Sequence, residues 1–438
     1  MASHRMYSKA TSPPFALLVG WVASAGIDPL TAARCLGGSA TLVIGGVLFV
    51  VARRTVGAGA WFAPAIYLLL PTTVAYATCG LETSLYALAA ISALAFAYAE
   101  RPGRATVAAT AATLLRPDGV LVLAVVGGVR VWDLLRERRD DRRSIERAAW
   151  RRLARDGMLT AAVLLMAVWL HFRVYGTWVP WSVVAKGQAY AVDPWSNLFN
   201  YAERMLWSQK AGLGVYALAV VGAGIAWRRD RRLALFAAWY LVYHLAFGLR
   251  APLFSWYLQP PIPVLALFAG LAVAAAIEQI ATRLGMSSNR LRLVAGVALV
   301  AAALLLTARY ARGRVVDATY ERTVRAAAGA WLDEHAEPDA LVFTESLGHV
   351  GYPNHNRFVD WPGLVSREVP PLVAGLSQID GYQRIIEHFE PDLLVLRVAE
   401  IEDLGDALVA YDEVARFDSP LRGPGYRILQ KGRLAGRP

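Results

Sequence analysis

Long stretches without a single charged residue run through most of the chain: Cys35 to Ala52, Thr55 to Leu81, Thr83 to Ala99, Met158 to Phe172, Ala211 to Trp227, Leu233 to Leu249, Ala251 to Ile277 and Val294 to Ala308. A bilayer core about 30 Å thick is crossed by roughly 20 apolar residues of helix, and these runs approach or exceed that length. The pattern predicts a polytopic α-helical membrane protein with about nine to ten membrane segments over residues 1–309. It stops near Tyr310, after which alternating and helix-period patterns take over. Ala340–Thr344 and Asp392–Leu396 read as strands, Thr319–His335 and Gln383–Phe389 as helices, and Gly425–Leu429 as a closing edge strand. Residues 310–438 therefore read as a small α/β domain with a core of its own.

Arg116-Pro117-Asp118-Gly119 interrupts the apolar stretch from Arg104 to Arg130 at its centre. Both ends of that stretch are basic, yet it is too short for two full spans. Proline removes a backbone donor there, so two short helices should meet at a break inside the membrane. Such a break is tolerated only where protein or a wet cavity satisfies the opened backbone.

Charge changes the picture by fixing orientation. Up to Arg309 there are 31 Lys+Arg against 14 Asp+Glu, whereas the remainder carries 14 against 20. The basic residues cluster at Arg53-Arg54, at Arg101 and Arg104, from Arg130 to Arg155, from Arg228 to Arg232, and from Arg283 to Arg292. Short loops rich in Lys and Arg stay cytoplasmic, so the excess is a topology signal and no nucleic-acid partner is expected. Alternation then puts Cys79–Glu82, an aromatic-rich loop over residues 176–210, the turn from Arg250 to Tyr257 and the C-terminal domain outside the cytoplasm. The expected setting is the plasma membrane of a bacterium, the inner membrane where there are two. The tail has no cysteine; the chain's two, Cys35 and Cys79, lie in or beside membrane helices, so no disulfide framework is predicted.

Few charged side chains remain inside or beside the apolar segments, and those are the candidates for chemistry. Glu82 follows a Gly-Leu turn at a helix start, where it is either a functional carboxylate or an acid favoured by the helix dipole. Arg116 and Asp118 either serve a substrate or satisfy backbone groups freed at the break. Lysine is scarce, with Lys9, Lys186, Lys210 and Lys431 the complete set, and two of the four fall in the aromatic loop. Lys186 could hold a phosphate as a point charge. Arg250 with Ser255-Trp256-Tyr257 is a weaker external cluster, and Asp193 and Glu203 are weaker acids in the same loop. In the tail, Glu345 to Tyr352 followed by Asp360 to Leu364 reads as a Gly-rich turn; His349 and His355 have no third ligand at metal spacing, so no metal or cofactor is assigned.

Gly80-Leu-Glu-Thr83, Leu115-Arg-Pro-Asp-Gly119, Tyr175-Gly-Thr followed by Pro180 and Ala185-Lys186, and the segment Gly348 to Leu364 occur in an order that resembles bacterial membrane glycosyltransferases of the GT-C superfamily. Within it the motifs look most like the group of arabinofuranosyltransferases and related polyprenyl-phosphate-sugar enzymes. The resemblance implies an inverting transferase that moves a sugar from a polyprenyl phosphate to a glycan, lipid or protein on the outer face. In that reading Glu82 is the base and Lys186, Arg116 and Arg250 hold the departing phosphate. Family members begin with a further helix and an acidic external loop before a Thr-Ser-Pro segment like Ala10–Pro13. Met1 to Lys9 contains no acid, so a missing first span is expected, and a second departure is Trp181-Ser182 where Asn-Thr is common. Two rival readings remain: a flippase for lipid-linked sugars, and a non-catalytic scaffold of envelope assembly.

Overall fold

The computed structural model describes residues 12–137, 143–190, 193–207, 213–250, 254–345, 347–351, 354–421 and 425–432. Contacts divide the chain into two compact units, one built from Ala10–Trp178 and Asp193–Ala308, the other from Val179–Val192 and Arg309–Pro438.

The larger unit is helical. Among the described residues, five segments are long and apolar enough to cross a membrane: Pro29–Leu69, Arg147–Tyr175, Arg231–Leu249, Ile262–Leu284 and Ser288–His335, the last running on into the other unit. Pro13–Ala23 and Thr83–Tyr98 are apolar but shorter. The Pro29–Val56 helix shows why these sequences fold locally as they do. Pro29 sits at the first helical position, where no donor is needed, and the Asp28 carboxylate accepts the Thr31 N–H at 2.8 Å. Apolar side chains cover the outside as well as the inside; Leu159, Leu165 and Met166 on the Arg147–Tyr175 segment are all exposed. A helix apolar on its exposed face is matched to lipid rather than to water.

Inside, the helices meet through small residues. A Cβ added at Gly222 would collide with the Phe268 carbonyl, and one at Gly270 with the backbone of Ala63. Lipid is as apolar as a leucine side chain, so helices in a bilayer gain from close van der Waals approach more than from burial alone. Trp239, Tyr86, Tyr243 and Phe236 fill the centre.

The uncharged run from Thr55 to Leu81 is not one continuous helix: a 3-10 turn at Gly57–Trp61 is followed by helices Phe62–Leu69 and Pro71–Ala77. Pro71 supplies the break: Leu70 before it is extended, the conformation that a following proline ring enforces. The loop expected over 176–210 contains two helices, Trp181–Ala189 and Pro194–Trp207.

The other unit holds a five-stranded sheet of β1 (Leu341–Thr344), β2 (Arg357–Asp360), β3 (Leu393–Arg397), β4 (Tyr411–Phe417) and β5 (Tyr426–Lys431) in the order β2-β1-β3-β5-β4. β1 pairs in parallel with β2 and β3, whereas β5 runs antiparallel to both β3 and β4. The last strand is thus internal, not the expected edge, because β4 covers its far side. The Gln378–Phe389 helix packs Tyr382, Ile385 and Ile386 into one apolar cluster with Phe343, Leu394 and Trp361. Trp181–Ala189 belongs to this unit: Trp181 Nε1 donates to the Gly363 carbonyl at 2.7 Å, and Ala189 joins the same cluster.

Candidate functional site

The helix break lies where the sequence puts it. The Pro102–Leu115 helix ends, Arg116 is extended, Pro117–Gly119 forms a 3-10 turn, and a new helix begins at Val120. Proline at 117 disfavours helical geometry at Arg116. Gly119 lies so close to the preceding helix that a Cβ would run into the backbone of Ala112 and Thr113. The chain can fold back this tightly only without a side chain there.

This turn aims Arg116 into the protein. Its Nε donates to Asp118 Oδ1 at 2.9 Å, and its Nη1 lies 3.6 Å from Glu82 Oε1. The guanidinium also sits over the rings of Tyr86 and Tyr257, 5.3 and 5.2 Å from their centroids. The side chains of Arg116, Glu82 and Asp118 are 7%, 15% and 12% exposed. Glu82 occupies the N-cap of the Thr83–Tyr98 helix but makes no side-chain capping bond, so its carboxylate is directed to Arg116 rather than to its own helix. Tyr86, on the same face four residues later, adds its ring. The Tyr243 hydroxyl donates to the Tyr257 carbonyl at 2.9 Å and fixes the second ring.

Two carboxyl groups share one guanidinium in surroundings of low polarity. Asp118 Oδ2 and the Tyr86 hydroxyl are buried with no hydrogen-bond partner among the described residues. Burial of ions costs several kcal/mol each and is tolerated when pairing is close, so the cluster holds an acid, Glu82, ready-oriented and nearly dry. Nearby, Tyr201 and His244 share a hydrogen bond of 2.7 Å, and Tyr76 donates to Ser255 Oγ at 2.7 Å.

The other expected site residues lie on other elements. Lys186 lies on the Trp181–Ala189 helix in the other unit. Asp193 is exposed and caps the Pro194–Trp207 helix, accepting the Ser196 N–H at 2.8 Å, and that backbone bond holds its carboxyl below the usual range. Glu203 is exposed on that helix. Arg250 ends the Ala234–Arg250 helix, and its side chain lies outside the described residues. Sequence reasoning missed Tyr86, Tyr243 and His244. The spacing from Glu82 could have found the first, whereas the others sit on a helix distant in sequence.

A second polar group gathers at the carboxyl ends of the parallel strands in the sheet unit. Arg397 closes β3 and pairs with Glu345, the residue after β1, and with Glu400 at 3.0 Å; its Nε donates to the Tyr426 hydroxyl at 3.2 Å. Burial pushes the Glu400 carboxyl above its ordinary value. Asp360, at the end of β2, accepts the N–H groups of Leu364, Val365 and Ser366 at 2.6, 3.0 and 3.1 Å. It clamps a turn that includes the cis Trp361–Pro362 bond. His349 faces Glu321 at 3.6 Å and His355 faces Asp333 at 3.1 Å. Among the described residues no group of three His, Cys, Asp or Glu converges as a metal site would.

Residues 311–431 match a family described as a domain of unknown function, DUF8728. No curated protein matches the chain. Solved structures similar to it include ArnT from Cupriavidus metallidurans in the apo state, with a TM-score of 0.58, and the same protein bound to undecaprenyl phosphate, with a TM-score of 0.54. Each is 16% identical and covers 98% of this chain and 89% of the other. The chain shares the fold of ArnT over nearly its whole length.

Proposed function

We propose that the protein is a membrane glycosyltransferase that moves a sugar from a polyprenyl-phosphate donor to an envelope glycan, lipid or protein. The observation that carries this reading is the buried Glu82–Arg116–Asp118 cluster at a helix break of a GT-C fold. The binding of undecaprenyl phosphate by ArnT supports a polyprenyl phosphate as the lipid partner. The order of the motifs from Gly80 to Leu364 supports the arabinofuranosyltransferase group as the nearest relatives in chemistry.

In an inverting transfer the acceptor oxygen attacks the anomeric carbon, the carbon–oxygen bond to phosphate breaks, and polyprenyl phosphate leaves. The acceptor proton must go to a base, and a positioned carboxylate contributes typically 100- to 10,000-fold there. Glu82 is the base in this reading. Arg116, already shared by two carboxylates, acts on Glu82 by orienting it, and Lys186 is the cation assigned to the departing phosphate on the strength of the family motif. Transfer on the outer face of a bacterial plasma membrane, with the sheet domain on the same side, follows from the distribution of arginines.

The test is sugar transfer from a labelled polyprenyl-phosphate donor by the purified protein in detergent, compared with Glu82→Gln and Lys186→Ala. Each substitution should lower turnover by about tenfold or more. Full activity in both would remove the site assignment. Transbilayer movement of an unmodified donor without sugar release would favour the flippase reading, which the same buried charges at a broken helix also support.

A further inference from the structure

Gly222 brings the Leu213–Arg229 helix against Phe268 of the Ile262–Leu284 helix, and toward their C-terminal ends the two enclose a cleft of about 620 Å³. Its walls are one stripe from each helix: Ile225, Arg228 and Arg229 at helical spacing, and Ala275, Glu278, Gln279, Thr282 and Arg283 opposite. Three guanidinium groups face one carboxylate. Arg229 is the one that answers it, 3.6 Å from Glu278, and it also donates to the Thr55 carbonyl at 3.3 Å. Arg228 and Arg283 have no ion-pair partner among the described residues, so the cleft keeps two uncompensated positive charges.

Its depth is marked independently. Trp227, directly before Arg228, is 57% exposed, and Arg231 lies over its ring at 5.8 Å. An exposed tryptophan among arginines at the end of an apolar helix belongs at the level of lipid headgroups. Ile225 and Ala275 line the cleft on the side of each helix's apolar middle, and the arginines line it nearer the helix ends.

We propose that this cleft binds the phosphodiester headgroup of an anionic membrane phospholipid, with Arg228 and Arg283 as its cations. Arginine suits a phosphodiester because its planar fork presents paired N–H donors to two oxygens at once. Basic pockets between membrane helices recognise anionic lipid headgroups by this chemistry. Arginines in a last helical turn also offset the helix dipole, but that role needs neither their convergence on one cleft nor an unpaired pair of them. The proposal rests on the membrane placement of the helices and not on the assignment of Glu82.

The experiment is native mass spectrometry of the full chain released from micelles, titrated with phosphatidylglycerol, phosphatidylcholine or inorganic phosphate. Phosphatidylglycerol should be retained over phosphatidylcholine, and R228Q/R283Q should weaken its binding by about tenfold. R101Q/R104Q, which removes two exposed arginines outside the cleft, should leave binding as it was. R228K/R283K, which keeps both charges, should retain intermediate binding and guards against a fold defect in the glutamine pair. Equal retention of the two lipids by the unaltered chain would overturn the proposal. So would equal losses in the cleft and control variants, which would mean diffuse attraction by the basic surface. Displacement of phosphatidylglycerol by an equal concentration of inorganic phosphate would assign the cleft to a soluble phosphate and overturn the lipid.

Discussion

Replacing Arg116 by methionine removes the cation at the helix break while keeping much of the side-chain volume. Glu82 and Asp118 are then left as two nearly buried carboxylates without a counter-charge, and the rings of Tyr86 and Tyr257 lose the guanidinium between them. Removing one partner of a buried ion pair costs about 3–5 kcal/mol, because the abandoned charge still pays its desolvation. The distances of 2.9 and 3.6 Å place most of that loss on Asp118. Arg116→Met should therefore be destabilised by about 3–5 kcal/mol, and adding Asp118→Asn should recover part of it through a coupling of about 0.5–3 kcal/mol. The assay is unfolding from mixed micelles by added dodecyl sulfate, followed by tryptophan fluorescence, for the unaltered chain, both single variants and the double. Strict additivity of the two substitutions, or an Arg116→Met protein as stable as its parent, would refute the idea that these charges depend on one another.

Gly119→Ala should destabilise the same region by about 1–3 kcal/mol or more, since the added carbon meets the backbone of Ala112 and Thr113 and not a movable side chain; a normal unfolding midpoint would show that the turn yields more easily than its packing suggests. Asp360→Asn replaces one of the two accepting carboxylate oxygens by an NH2 group that cannot accept, at about 1–3 kcal/mol for each backbone donor left unpaired. Protease cleavage within residues 360–366 should accelerate, and an unchanged digestion pattern would argue against the clamp. Glu400 should make stability respond to pH. Burial raises its pKa in the folded state above the ordinary 4.5, so its favourable contribution is complete below that value and is lost as pH rises through the folded pKa. The unaltered chain should gain stability relative to Glu400→Gln as pH falls from about 7 to about 4.5. The opposite slope would mean that the pairing with Arg397 outweighs burial.

Sequence alone determined the membrane class of this protein, because uncharged runs of bilayer length have no other economical environment. It also determined the break at Pro117 and the interruption's local chemistry, since a proline ring and a missing Cβ act on their immediate neighbours whatever surrounds them. β1 and β3 were legible for the same reason, each being a short apolar run. β2 and β4 were not: Arg357–Asp360 and Tyr411–Phe417 carry charges, and they become strands by pairing with β1 and β5. Only the tertiary structure decided what Arg116 touches. Glu82 and Tyr86 come from one helix and Tyr257 from a turn far along the chain, held by Tyr243 of a third element, and no periodicity relates them. The same holds for Trp181–Ala189, read as loop from its aromatics, which is a helix tied to the sheet unit through Gly363. Local rules fix where a helix stops, whereas contacts between distant segments depend on the packing of the whole chain and are written in no single stretch of it.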